Sequence, residues 1–239
     1  MQAVHSAAHS PHQEFRTASG VQRIGGAAGV LGGIGILIVA AILIPLTAAH
    51  GLRPPLEGKE AQFYDLLQAT LPLVLPLFLL QSIGIMVTLV FVRALDERLR
   101  PVSPAASPIA ALYGYVGVAT LTLAGIIFVG LSETIAAGTS RAAVAPLVAA
   151  ALALNGTAAF GGSLFQVVWL SAINWIAARH RGLPRGLTYY GFLAAAVGLI
   201  TTFLGIKGFA PLTVSVWYIG VGAVMWRRPA LSGRAMTCE

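Results

Sequence analysis

Four uncharged polar side chains sit inside long apolar runs: Gln81 in one run, and Ser163, Gln166 and Asn174 in another. The last three, with Leu170 between them, have the spacing of one helical face. An amide buried in an apolar medium costs several kcal/mol unless it is paired, roughly 2–7 depending on the reference medium. These groups must therefore meet protein, water or a ligand. One reading is interhelical hydrogen bonding, worth about 0.6 kcal/mol on average. The other is a small polar cavity for a neutral or zwitterionic solute. Pro72 and Pro76, upstream of Gln81, free backbone carbonyls near the same depth and favour the cavity.

Other chemistries lack their parts. Proton-coupled transport uses titratable groups at depth, and no apolar run contains Asp, Glu, Lys, Arg or His. Intramembrane aspartyl proteolysis needs two aspartates together, whereas Asp65 and Asp96 flank opposite ends of one run. The Gly162-Ser163 pair has no histidine at its depth to serve as base. His50 and His180 fall at opposite faces, so they cannot share a haem. No His/Cys/Asp group has metal-ligand spacing, and His5, His9 and His12 form only a loose triplet in an N-terminal tail. Phosphate-loop patterns need a strand before them, and no strand is expected. The reading is a non-enzymatic protein with no cofactor and no metal. A lipid-acting enzyme would have Glu57, Glu60, Asp65 and Glu133 at one face, with nothing beyond location in its favour.

The elements that hold these residues follow from composition. Of 239 residues 57% are hydrophobic and 10% charged, with mean hydropathy +0.82. A soluble domain carries about a quarter charged residues, so this is a membrane protein. A span needs about 20 apolar residues. Six runs qualify or nearly so: 25–49, 70–92, 108–130, 157–178, 188–206 and 209–226. The first run is too long for the core of a signal peptide. The Ala-rich stretch 142–154 is short for a span and suits an interfacial or re-entrant piece within an outer loop, 131–156. Glu133 and Arg141 in that loop are within reach of a weak ion pair. Asn155-Gly156-Thr157 fits a glycosylation acceptor but lies too near the membrane.

The net charge of +7 has no basic, aromatic-interleaved face behind it, so nucleic acid is not a partner. The excess reads as topology, because basic residues collect on the cytoplasmic side. Six spans with both termini inside leave only Arg53, Lys59, Arg141 and Lys207 outside, whereas seven spans reverse the bias. The chain divides into a cytoplasmic tail 1–24, a six-helix domain 25–228 with N-in and C-in, and a cytoplasmic tail 229–239. Lone Cys238 excludes an internal disulfide. All basic residues but Lys59 and Lys207 are Arg, a codon-usage hint of a GC-rich bacterium and hence of the inner membrane.

Small residues mark the helix contacts. Gly25, Gly29 and Gly33 recur every four residues, with Gly26 and Gly32 widening the smooth face; Ala194, Gly198 and Thr202 repeat the device. Such spacing lets backbones approach closely, either within the chain or between two copies. Besides the lipid bilayer, the partners expected are a second copy or another membrane subunit.

From Ala159-Phe160-Gly161-Gly162-Ser163-Leu164-Phe165 through Arg179-His180-Arg181-Gly182, Leu183-Pro184-Arg185, Gly191, Gly198 and Trp226-Arg227-Arg228, the chain resembles a family of small bacterial six-helix membrane proteins catalogued as a domain of unknown function. The resemblance covers the last third. It implies fold and location, and brings no catalytic residue. The N-terminal tail and the Ala-rich stretch depart from that pattern.

Overall fold

The computed structural model describes residues 11–52, 59–204 and 209–227, with side chains from residue 20 in the first helix and from residue 211 in the last. They form six α-helices: α1 (Pro11–Ala49), α2 (Glu60–Leu99), α3 (Ala106–Ala136), α4 (Arg141–His180), α5 (Arg185–Phe203) and α6 (Phe209–Arg227). No strand occurs among the described residues. The protein is thus an all-α bundle, and five of its helices are long and apolar enough to cross a membrane. The C-terminal tail, residues 205–208, Glu57, His5 and His9 lie outside the described residues.

Apolar length locates the spans but underestimates the helices. α2 and α4 each have 40 residues, or about 60 Å at 1.5 Å per residue. That is twice the hydrocarbon thickness of roughly 30 Å. α1 begins at Pro11, so the second half of the expected tail 1–24 is helical. The expected outer loop 131–156 shrinks to a short turn between Ala136 and Arg141, and the Ala-rich stretch belongs to α4. The reason is local. Alanine is the best helix former, and Asn155 and Thr157 do not break the helix. Asn155 Nδ2 donates to Ala124 O on α3 at 2.9 Å, and Thr157 Oγ1 donates to Ala153 O at 3.0 Å.

Each helix packs against its neighbours in sequence, and α1 against α6, which closes a ring; α2 also reaches α4. The glycines of α1 close it. A methyl added at Gly25 would strike Ala94 of α2, and one at Gly29 would lie 2.6 Å from the Phe91 ring. Gly33 does not share that face: its methyl would lie 2.7 Å from Ser215 O of α6. A four-residue repeat drifts around a helix of 3.6 residues per turn, so the third glycine meets the next neighbour. Gly26 joins it, 2.7 Å from Gly222 O on the same measure. Both glycine faces are therefore covered within the chain.

Two apolar clusters divide the bundle along its length. The first takes Phe91, Leu95, Trp169, Ile173, Trp217 and Val221 from the ring, along with Ala194 of α5. The second takes Phe63, Leu67, Phe78, Leu131, Val144 and Val148, and nothing from α5 or α6. These two helices have 19 residues each, about 28 Å. Phe203, closing α5, meets Phe160 of α4 at a 5.9 Å centroid distance. A bilayer core laid along α5 and α6 therefore ends near Phe160. Residues 141–154 of α4 continue beyond it with the outlying ends of α2 and α3.

Candidate functional site

The interior polar groups sit at three depths. Gln166 of α4 is buried. Its Oε1 accepts the Tyr218 hydroxyl of α6 at 2.7 Å, and its amide nitrogen lies where a side chain on Gly117 of α3 would be, 3.0 Å from the added carbon. Asn174 lies two helical turns along α4, fully buried. Its Nδ2 donates to Leu170 O at 2.7 Å, and the amide fills the space left by Gly191 of α5. Gln81 on α2 and Ser163 on α4 are only half-buried. Ser82, next to Gln81, packs on Gly125 of α3, eight residues along that helix from Gly117. Gln166 and Asn174 thus do not converge, one meeting α6 and the other α5, and Gln81, beside Ser82, stands at a third level of the bundle. Ala194 and Gly198 are buried on α5.

Gln166 instead keeps company that its own helical spacing does not show. Trp169, one turn along, has its indole nitrogen over Gly114, 2.9 Å from the added-carbon position. Trp169 meets Trp217 of α6 edge to face at 5.8 Å, Tyr218 at 5.9 Å and Phe91 of α2 at 6.4 Å. Edge-to-face aromatic pairs stabilise beyond their buried area by about 0.5–1.5 kcal/mol. Three donors in this cluster, Gln166 Nε2, Trp169 Nε1 and Trp217 Nε1, are buried without an acceptor, as is the Asn174 Oδ1 acceptor nearby. The signal available in the sequence was Trp169 three residues after Gln166, facing glycines on the preceding helix.

Among the described side chains, charge is confined to the two ends. At one end, called here the arginine end, Asp96 is buried although ionisable: its side chain is 2% exposed. It accepts the Ser107 hydroxyl at 2.9 Å and pairs with Arg100 and, at 3.7 Å, with Arg93. The Asp96 hydrogen bond raises the Arg100 guanidinium above its ordinary value. Arg93 also holds Glu97 at 2.8 Å. Buried Arg98 donates to Gln22 Oε1 of α1 at 3.2 Å and to Gly182 O of the α4–α5 turn at 3.3 Å. This net ties α1, α2, α3 and the α4–α5 turn together. At the far end Arg141 pairs with Asp65 at 3.2 Å, not with Glu133. Both partners are over half exposed, so the pair contributes little. Among the described residues no group of His, Cys, Asp or Glu could hold a metal ion.

The fold and the placement of its polar groups define a helical membrane bundle with a closed, aromatic interior. Compared with protein-family models, curated proteins and solved structures, the chain matches none.

Proposed function

We propose that the protein is a non-enzymatic accessory subunit of a bacterial inner membrane, with both termini cytoplasmic, which acts by packing against another membrane polypeptide or a second copy. The observation that carries the reading is the projecting end of α4. Only Val144, Val148 and Ala151 of residues 141–151 are buried. On the other side, Ala143, Leu147, Ala150 and Leu154 are exposed at a spacing of one helical stripe. Leu147 is 52% exposed, past the level where α5 and α6 end. An apolar stripe beyond the bilayer core has water as its alternative to a partner, and this spacing suits a second helix. The cytoplasmic assignment rests on the arginine end, where, among residues whose side chains are described, Arg23, Arg93, Arg98, Arg100, Arg179, Arg181, Arg185 and Arg227 face only Asp96 and Glu97. Membership of the six-helix family with the Leu-Pro-Arg loop belongs to the same proposal.

Native mass spectrometry of protein extracted gently from its own membranes tests it. The expected result is a mass with a second polypeptide or an integral multiple of the chain, reduced to monomer by Leu147→Glu, a change at an exposed site. A wild-type monomer overturns the reading. The unpaired donors of Gln166, Trp169 and Trp217 favour a second one: a small neutral or zwitterionic acceptor solute held between α3, α4 and α6. It predicts a monomer carrying a small molecule that Gln166→Leu releases.

A further inference from the structure

The turn joining α4 to α5 holds a non-glycine residue in the left-handed backbone region. Arg181 is the one described non-glycine residue with positive φ, at 53°. It caps α4 in the left-handed conformation, with Gly182 N donating to Ala177 O at 3.1 Å. That capping position is ordinarily glycine, because a side chain there crowds the backbone. A glycine stands one residue later, but it is held there by packing: a side chain at Gly182 would lie 2.6 Å from Leu99. Helix closure would be served better by glycine at both positions. Arginine stands here in a backbone conformation it disfavours, and such outliers cluster at ligand sites.

Its surroundings indicate which ligand. Arg179 lies over the Trp175 ring at 5.6 Å. Trp175 is 53% exposed on the outside of α4, one turn deeper in the bundle. On the neighbouring helix Arg185 opens α5, and Tyr189, one turn deeper, is 71% exposed. Two steps of aromatic below and arginine above thus flank the corner where Arg181 sits. Exposed Trp and Tyr mark the headgroup level of a bilayer, which places the three guanidiniums at the phosphates. Arg179, Arg181 and Arg185 have no carboxylate partner among the described residues. Asp96 and Glu97, the acids of this end whose side chains are described, are held by Arg93 and Arg100.

We infer that Arg179, Arg181 and Arg185, with Trp175 and Tyr189 beneath them, form a binding site for the phosphate headgroup of an anionic phospholipid. The guanidiniums take the phosphate and the aromatics flank the first acyl carbons. The site is independent of what covers α4.

The test measures lipid retention by native mass spectrometry of the detergent-purified full chain, titrated with phosphatidylglycerol or with phosphatidylcholine of the same chain length. Phosphatidylglycerol should be retained more strongly. Arg181→Gly relieves the backbone strain, so that variant should be at least as stable as the parent while binding phosphatidylglycerol about fivefold more weakly, the equivalent of about 1 kcal/mol per arginine near a charged surface. Arg185→Gln should act similarly and Arg181→Lys less. Equal retention of the two lipids, or unchanged phosphatidylglycerol binding in both Arg181→Gly and Arg185→Gln, overturns the inference. Displacement of the lipid by millimolar inorganic phosphate would show that free anion, not lipid, is the ligand, and would overturn it too.

Discussion

The arginine end and the far end of the bundle use the same helices differently. At the arginine end all six helices meet, backbones touch across glycines, and Asp96 and Arg98 are buried in hydrogen bonds. At the far end α5 and α6 have stopped, the core is leucine, valine and phenylalanine, and the Arg141–Asp65 pair lies in solvent. Transmembrane helices gain no hydrophobic advantage over lipid by associating; close packing and polar contacts hold them. The end rich in both is the structural anchor. The projecting end has fewer constraints and a bare helical stripe, which suits it to contact with another chain.

The largest difference between the ends should come from α1. Gly26→Leu drives a side chain into the Gly222 backbone, where even a methyl would come within 2.7 Å. Backbone cannot yield as a side-chain tip can, so the variant should fail to accumulate in membranes. Gly156, at the far-end side of α4, has nothing within 4 Å of an added methyl. Gly156→Ala should accumulate normally and gain helix stability of up to about 1 kcal/mol. Immunoblots of membrane fractions compare them; similar losses in both would erase the contrast between ends.

Next in size come the polar net and the aromatic knot. Asp96→Ala removes the acceptor of Arg100 and Ser107; Arg100 is half exposed and regains water, so the loss falls on the buried Ser107 hydroxyl left without its partner, about 1–3 kcal/mol. Phe91→Ala, emptying a site that touches Trp169, Trp217 and Tyr218, should cost about 3–5 kcal/mol. Phe78→Ala in the far cluster, where Phe78 stacks on half-buried Phe128, should cost less, because the half-buried Phe128 ring can shift into the vacated space. Unfolding titrations with denaturing detergent rank the three; Phe78→Ala ranking above Phe91→Ala would reverse the assignment of the anchor.

Much of this contrast was legible in the sequence and some was not. Hydropathy located all six helices, five of them long and apolar enough to span, because one apolar run of about 20 residues has few other solutions. It failed at 142–156, where alanine is too weakly apolar to extend a span yet excellent at extending a helix, so apolar length and helix length separate. The spacing of Gly25 and Gly29 marked a close contact, but a repeat along one helix carries no information about its partner, and Gly33 turned to α6. Gln166 was visible as a buried amide; Tyr218, 52 residues later, was not, since pairing across the ring depends on tertiary register. The Arg181 strain was invisible, because the adjacent Gly182 looks like the helix-closing glycine until Leu99 is seen against it.

The smallest expected effect concerns the far-end ion pair. Arg141→Ala removes the 3.2 Å contact with Asp65, which ties the first turn of α4 to α2. Both side chains are more than half exposed, so water and salt replace most of the attraction, and the loss should be under about 1 kcal/mol. The neighbouring contact, Tyr64 hydroxyl to Thr139 O at 3.2 Å, remains to hold the α3–α4 turn. Detergent unfolding of Arg141→Ala should therefore fall within about 1 kcal/mol of the parent, and 0.5 M salt should bring the two closer by screening what remains. A loss comparable to that of Asp96→Ala would mean that the far end is anchored by charge as firmly as the arginine end, and the distinction between an anchoring end and a docking end would fall.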